Sequence, residues 1–143
     1  MKHLLMQKVT TTSTYPNRSK PGDAGLDLFS DECLVTEIPP MGIAKISTGI
    51  RMEIPEGFVG KIESRSSYAE QGMIIIGGVI DSNYRGTIKV LVLNLTGGML
   101  FIRHGDKIAQ MLVLPYYVHN PHPAVQLQTS NRGLDGFGST GNS

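Results

Sequence analysis

The sequence predicts a small all-β domain of the sandwich, jelly-roll or barrel type, and three observations support this prediction. Short apolar or alternating runs recur along the 143 residues, separated by turn residues, which is the pattern of strands. The 17 glycines and 8 prolines are spread along the chain. Apolar residues at helical spacing are almost absent. Many short strands punctuated by glycine and proline are typical of these all-β architectures.

The predicted strands follow one another at short intervals along the chain. The first is expected at residues 8–12, and a loop over residues 15–25 separates it from the second. The other strands are expected at residues 26–29, 34–38, 43–47, 50–54, 58–64, 73–76, 87–95, 99–102 and 108–114. Proline-rich or glycine-containing turns lie between them, with Gly105-Asp106 before the last strand. Because Trp is absent, we expect the core to consist mainly of Ile, Val, Leu and Met.

Three segments do not fit the strand pattern. Residues 66–72 form the one candidate helix, of one or two turns. Residues 77–86 are rich in turn formers and lie inside a hairpin between two strongly β runs. Residues 131–143 are rich in glycine and have little to bury, so this tail should be mobile unless something holds it. We therefore expect one domain, with a main β part at residues 1–130 and a tail at residues 131–143.

Composition excludes several classes of function. The length suits a single hydrophobic core. A net charge of +1 without a basic patch argues against a nucleic-acid partner. No apolar stretch reaches the length of a signal-peptide core or a membrane span, so we expect a cytoplasmic protein without a membrane partner. The single Cys33 cannot form an internal disulfide, and the four histidines show no zinc spacing with it.

The tail contains residue types that suit a nucleotide. Its glycines would let backbone N–H groups approach a phosphate, and Ser139 and Thr140 add hydroxyl donors. Arg132 carries a planar cation suited to bidentate phosphate contact, and Phe137 could stack on a base. The alternative is a disordered polar tail, and composition leaves both interpretations open.

Asp81 in the turn-rich segment has two possible roles. An aspartate in a tight turn is often structural, because its side chain closes an Asx turn. Alternatively, Asp81 is a general base that deprotonates a water, with Tyr84 offering a flat face to a sugar. Backbone donors and acceptors beside Asp81 could then read the edge of a base.

Further polar residues have both a structural and a functional interpretation. The serines around Arg65 could cap the short helix, and the same helix start could bind a phosphate together with the arginine. Asp23 and Asp27 are either turn or edge-strand acids, or partners of a metal through water. Gln110, in the last predicted strand, would ordinarily face solvent.

Five segments, taken in order, resemble the trimeric all-β dUTPase family. They span residues 23 to 141, nearly the whole chain, and the third and fifth are the most specific. The segments are DAGLDL at residues 23–28, SRSS at 64–67 with Ala69 and Gly72, GVIDSNYRG at 78–86, GDKIAQ at 105–110, and RG at 132–133 with GFGSTG at 136–141. Four positions depart from the family's pattern: Ser67, the Glu70-Gln71 pair, Asn83 and Asp135.

The resemblance implies a distorted jelly-roll (β-clip) domain with one short helix, assembled into a homotrimer whose sites are shared between subunits. The implied activity is hydrolysis of dUTP to dUMP and pyrophosphate by water attack on the α-phosphate. This reaction keeps uracil out of DNA and supplies dUMP for dTMP synthesis. Mg²⁺ is the implied cofactor, held through water by Asp27.

The resemblance also assigns roles to individual residues. Asp81 would activate the attacking water, and Tyr84 would pack on the deoxyribose and exclude UTP. Backbone groups of Gly78, Val79 and Ile80 would recognise uracil and exclude the thymine methyl group. Arg65, Ser66 and Ser67 would contact the phosphates from a second subunit, with Gln110 on the same side, and Lys89 is a further implied substrate contact. The tail residues of a third subunit would close over the nucleotide: Arg132, Phe137, Gly138, Ser139 and Thr140.

Two other functions are possible on the same scaffold. A dCTP deaminase would need a catalytic glutamate near the hairpin, but no glutamate follows Gln71. A non-catalytic binding or regulatory protein is the second alternative. A nucleotide that raised the melting temperature without being turned over would support it.

Overall fold

This computed structural model describes residues 3–131 and 133 of the chain. The described residues contain ten strands and one short helix, joined by turns and loops. All strand pairs are antiparallel. In chain order the elements are β1 (Leu5–Lys8), β2 (Leu26–Phe29), β3 (Thr36–Ile38), β4 (Ile43–Glu53), β5 (Phe58–Glu63), α1 (Ser66–Ala69), β6 (Met73–Ile76), β7 (Val79–Ile80), β8 (Thr87–Asn94), β9 (Leu100–Ile102) and β10 (Lys107–Pro115).

The strands form two four-stranded sheets and one two-stranded sheet. The first sheet has the order β1-β4-β8-β6 and the second has the order β2-β10-β5-β7, while β3 pairs with β9. Neighbours in a sheet are mostly distant in sequence, as in Greek-key and jelly-roll proteins. The all-β prediction with one short helix is therefore confirmed.

The core consists of Ile, Val, Leu and Met side chains from both large sheets, as the composition predicted. Strand β8 shows the expected period of two, because Ile88, Val90 and Val92 are fully buried while Lys89 is exposed. Burying each such side chain contributes about 1.5–3 kcal/mol to folding. This core fixes the positions of the strands that carry the polar loops.

The first strand prediction, residues 8–12, is wrong. Strand β1 ends at Lys8 and the chain then bends. The hydroxyls of Thr10 and Thr12 both donate to the buried carboxylate of Asp31. Side-chain hydrogen bonds of this kind offer threonine an alternative to the strand ladder.

Two further strand predictions need correction. The predicted strands at 43–47 and 50–54 are one long strand, β4, with a register shift where Gly49 adopts a φ of 63°. No strand was predicted in the turn-rich segment 77–86, yet it includes β7, which pairs with β5 in the other large sheet. The loop of the β6–β8 hairpin thus crosses from one sheet to the other.

The predicted helix at 66–72 is a single helical turn, α1. Among the described residues, no helix is long and apolar enough to cross a membrane.

Candidate functional site

A polar cleft of about 330 Å³ brings together four of the predicted substrate-binding residues and Asp27, the predicted metal residue. Arg65, Ser66 and Ser67 enter it from the start of α1, and Gln110 enters it from β10. The cleft is completed by the loop before β2, by Asp27 on β2 and by Leu112 on β10. Antiparallel pairing of β10 with both β2 and β5 brings these three regions together.

Asp27 lies at the side of this cleft in a network of cations and hydroxyls. Its Oδ1 is 3.2 Å from Arg65 Nε, and its Oδ2 is 2.8 Å from Lys107 Nζ. Ser19 Oγ donates to Oδ2 at 2.6 Å. Burial alone would raise the pKa of Asp27, but these hydrogen bonds and positive charges outweigh it and lower the pKa from its ordinary 3.8.

Asp23, the other acid that the sequence left as either a turn residue or a metal partner, is the turn residue. Its Oδ2 accepts a hydrogen bond from the backbone N–H of Lys20 at 2.8 Å, and the Lys20 carbonyl accepts from the Asp23 N–H. Asp23 therefore closes a turn in the loop before β2. The structure separates the two acids that the sequence left equivalent.

The serines at the start of α1 do not cap it, which corrects the capping interpretation. Arg65 occupies the N-cap position with extended backbone and makes no side-chain cap. Ser64 Oγ accepts instead from the backbone N–H of Ile75 at 2.8 Å, which ties the helix start to β6. Ser66 and Ser67 are exposed, so their hydroxyls can contact a ligand in the cleft.

Gln110 joins β10 to the helix start. Its Nε2 donates to the carbonyl of Ser64 at 3.0 Å, so the side chain is only half exposed and does not simply face solvent as expected. Gly25 makes room for it, because a β-carbon at position 25 would lie 2.5 Å from Gln110 Oε1. Gly25 and Gln110 together set the shape of the cleft next to Arg65.

The second group of predicted residues lies on the loop at residues 77–86. The Ile62 N–H donates to the Gly78 carbonyl at 2.8 Å. Gly78 has a φ of 91°, and a β-carbon there would lie 2.8 Å from the Ile62 carbonyl oxygen, so only glycine fits. Val79 is 62% exposed at the edge of the sheet. The exposed backbone of residues 78–80 lies at this sheet edge, immediately before Asp81.

Asp81 presents its carboxylate to solvent. The turn after it is closed by the Tyr84 N–H donating to the Asp81 backbone carbonyl at 3.1 Å. Within the described part of the chain, the Asp81 carboxylate accepts no hydrogen bond, so the Asx-turn interpretation is wrong. Tyr84 is 42% exposed and its hydroxyl donates to the Thr87 carbonyl at 3.1 Å.

Arg85 shapes this turn, a role that was not predicted from the sequence. Arg85 Nη1 donates to the carbonyls of Ser82 at 2.6 Å and Tyr84 at 3.0 Å, and Nη2 lies 3.7 Å from Glu53 Oε1 on β4. The guanidinium therefore clamps the turn to the first sheet. The sequence feature that could have indicated this role is an arginine among turn residues, since backbone carbonyls in turns often lack a backbone hydrogen-bond donor.

The two groups of residues lie apart within one subunit. Ile80 is paired with Gly60, and β7 runs antiparallel to β5, so Asp81 continues toward Val59 while Arg65 lies five residues beyond Gly60 in the other direction. At about 3.3 Å per residue the separation is on the order of 20 Å. Such a backbone separation is large for two residues that would act on the same triphosphate.

Other predicted residues lie outside both groups. Lys89 is exposed on β8 opposite Ser47 and does not line the cleft. Arg132, Phe137, Gly138, Ser139 and Thr140, and with them the predicted tail movement, fall outside the described residues. Within the described part of the chain there is no group of three or more His, Cys, Asp or Glu that could hold a metal ion.

Comparison with known proteins adds a family context to this geometry. The family model described as dUTPase matches residues 11–141. The chain is 39% identical over 142 residues to the deoxyuridine 5'-triphosphate nucleotidohydrolase of Paramecium bursaria Chlorella virus 1, covering 99% of each chain. It is 40% identical to the enzyme of the same name from Clostridium kluyveri, covering 96% of this chain and 97% of the other.

A solved structure agrees with these relatives. The dUTPase of Staphylococcus bacteriophage 80alpha with dUpNHpp superposes with a TM-score of 0.91 at 26% identity, covering 99% of this chain and 100% of the other. The jelly-roll fold expected from the five segments is therefore confirmed.

Proposed function

This chain belongs to the dUTPase family, and on that premise we propose that it hydrolyses dUTP to dUMP and pyrophosphate. The observation that carries the proposal is the polar cleft, which brings Arg65, two serine hydroxyls and Gln110 together beside a buried carboxylate. Such a set suits an anion with several oxygens, because guanidinium and hydroxyl groups are hydrogen-bond donors. The reaction keeps uracil out of DNA and supplies dUMP for dTMP synthesis.

Phosphate binding is the task of the cleft in this proposal. Arg65 donates from its terminal nitrogens to the triphosphate, and Ser66 and Ser67 donate from their hydroxyls. Gln110 holds the carbonyl of Ser64 and so keeps the helix start in place. Attack on a triphosphate depends mainly on positioning and on neutralising charge, which this cleft would supply.

Water activation and selectivity are the tasks of the loop at 77–86. Asp81 is exposed and its carboxylate makes no hydrogen bond to the described residues, so it is available to take a proton from the attacking water. Gly78, Val79 and Ile80 present backbone groups along the sheet edge to the uracil ring. Tyr84 packs against the deoxyribose, where its ring leaves no room for a 2′-hydroxyl. Lys89 and the tail residues Arg132, Phe137, Gly138, Ser139 and Thr140 complete the proposed contacts.

The donor set at Asp27 fits a Mg²⁺ ion held through water. A carboxylate offers about four lone-pair sites. Ser19 and Lys107 both donate to Oδ2 of Asp27, while Oδ1 makes only the 3.2 Å ion pair with Arg65 Nε. Oδ1 can therefore accept from a water, and Mg²⁺ characteristically keeps its waters and is bound by few carboxylates plus substrate phosphates. The family works with Mg²⁺, which when bound would neutralise charge on the triphosphate.

The separation between cleft and loop supports a shared site. About 20 Å of strand separates Asp81 from Arg65 in one subunit, so a complete site needs the loop of one subunit and the cleft of another. We propose the homotrimer of the family as this assembly, with the tail of the third subunit, residues 131–143, closing over the nucleotide.

The test is release of pyrophosphate in the presence of Mg²⁺ from dUTP, dCTP, dTTP and UTP at equal concentrations. Release from dUTP alone, with equimolar dUMP, is expected. Equal release from UTP would contradict the role of Tyr84. No release from any nucleotide by a folded protein would refute the hydrolase and favour a binding or regulatory function.

A further inference from the structure

The guanidinium of Arg65 is held by one nitrogen only. Its Nε lies 3.2 Å from Asp27 Oδ1, and the two side chains are 27% and 11% exposed. The guanidinium carbon also lies 5.4 Å from the centre of the Tyr68 ring. Among described residues, neither terminal nitrogen of Arg65 donates a hydrogen bond. The four N–H groups of the terminal nitrogens thus remain for a ligand in the cleft.

Asp27 is itself held in place from the other side. Ser19 Oγ and Lys107 Nζ both bind Oδ2, at 2.6 and 2.8 Å, which leaves Oδ1 directed to Arg65. Lys107 in turn lies over the Phe29 ring at 5.8 Å. The carboxylate therefore has a defined orientation before any nucleotide or metal binds. A long arginine side chain loses less rotamer entropy on binding a phosphate when it is already held in one orientation.

We propose that Asp27 is a positioning residue for Arg65, orienting its terminal nitrogens toward the triphosphate independently of Mg²⁺. The inference rests on the proposed function, because it assigns a second task to a residue of the same cleft. It differs from a role in metal binding by predicting that Asp27 strengthens phosphate binding when Mg²⁺ is absent. The same carboxylate thereby links phosphate affinity to the loop before β2, through Ser19.

The test measures binding of inorganic pyrophosphate and of dUpNHpp by calorimetry in EDTA and again in Mg²⁺. Asp27→Asn keeps the size of the side chain but removes the charge, and Arg65→Lys keeps the charge but removes Nε and the planar fork. In EDTA, Asp27→Asn should weaken both probes by roughly tenfold, because the variant loses the partly buried ion pair that orients the Arg65 guanidinium. Adding Arg65→Lys should cause little further loss, since the two residues act as a unit.

Two results would overturn the inference. One is equal affinity of the wild type and Asp27→Asn in EDTA with a difference only in Mg²⁺, which would leave Asp27 a metal-binding role alone. The other is pyrophosphate binding that requires Mg²⁺ in the wild type. Because pyrophosphate carries no uracil, these outcomes are independent of whether dUTP is the substrate, which the four-nucleotide assay decides.

A second measurement covers the case in which Asp27→Asn does not fold. Solvent exchange of the Arg65 Nε–H proton can be followed by NMR in the wild-type protein in EDTA. The proton should exchange much more slowly than that of Arg51, which is exposed and forms no ion pair among the described residues. Equal exchange rates would overturn the inference.

Discussion

The ring of Tyr84 lies directly over the α-carbon of Gly86. A β-carbon at position 86 would overlap the Tyr84 hydroxyl and lie 2.9 Å from the ring carbon Cε2. The same hydroxyl donates to the Thr87 carbonyl at 3.1 Å. The Tyr84 ring, which we propose excludes ribonucleotides, therefore keeps its position because residue 86 is a glycine.

Gly86→Ala should displace the Tyr84 ring and reduce discrimination between dUTP and UTP. Because misplacing a contact by about 1 Å can cost up to about 10²-fold in rate, we expect kcat/KM for dUTP to fall roughly tenfold or more. The ratio of the kcat/KM values for dUTP and UTP should fall as well. Gly97→Ala is the matched control, since a β-carbon there meets nothing within 4 Å. If Gly86→Ala left the ratio of the two kcat/KM values unchanged, the position of the Tyr84 ring would not determine selectivity for dUTP over UTP.

Asp81→Asn should abolish turnover while leaving dUTP binding intact. The carboxylate is exposed and bonds to nothing in the described structure, so its loss costs the fold little. Removing a general base typically lowers kcat by about 10²–10⁴-fold. Glu56→Gln serves as a control, because Glu56 is an exposed acid in a turn and does not line the cleft. Full activity of Asp81→Asn would refute the water-activating role.

Gly25→Ala should weaken phosphate binding without unfolding the protein. The new β-carbon would lie 2.5 Å from Gln110 Oε1, at the far end of a flexible side chain that can move away. Moving it would break the bond from Gln110 to Ser64 and loosen the helix start. We expect KM for dUTP to rise by roughly tenfold, with a stability change within about 1 kcal/mol. A large loss of stability at unchanged KM would count against this role of Gln110.

Truncation after Asn131 should lower activity while preserving the fold and the assembly. Residues 132–143 carry the arginine and phenylalanine that we assign to closure over the nucleotide. We expect kcat/KM to fall about a hundredfold, since positioning and exclusion of water are both lost. Phe137→Ala should show a smaller loss in the same direction. A truncated protein with normal turnover would refute closure by the tail.

The pH dependence of stability should report the network at Asp27. In the folded protein the pKa of Asp27 is lowered, so the ionised carboxylate stabilises the fold above its ordinary, unfolded pKa of 3.8. That contribution is lost as the pH falls through the lower folded value. In EDTA, the difference in unfolding free energy between wild type and Asp27→Asn should be constant above about pH 5 and shrink below about pH 4. A difference independent of pH would mean that the charge of Asp27 does not contribute.

The sequence predicted the strands best where the apolar pattern was strict. Leu26–Phe29 and Met73–Ile76 have the predicted bounds, because each is a short apolar-rich run with glycine or serine on either side. It failed at residues 8–12, where threonine hydroxyls turn to Asp31, and at Val79–Ile80, where two residues of a turn-rich loop pair with another sheet. Such pairings depend on tertiary contacts that no local pattern contains.

The candidate site was predictable as residue types but not as geometry. The order of the five segments pointed to Asp27, Arg65 and Gln110, and the structure places these three in one cleft. The contacts of Arg85 with the turn and with Glu53, and the packing of the Tyr84 ring against Gly86, could not be predicted from the sequence. Both depend on how one turn folds over β4 and β8. Spacing along the chain also gave no sign that Asp81 and Arg65 lie far apart in one subunit.

Subunit mixing tests most directly the claim that the loop of one subunit and the cleft of another form each site. Asp81→Asn and Arg65→Ala, each nearly inactive alone, are co-expressed with different tags, and dUTP hydrolysis is measured on the mixed assemblies. In each trimer that carries both tags, one of the three sites combines an intact loop with an intact cleft, so about a third of the wild-type rate should return. A rate no higher than that of either variant alone would place both residues in the site of a single subunit and contradict the account.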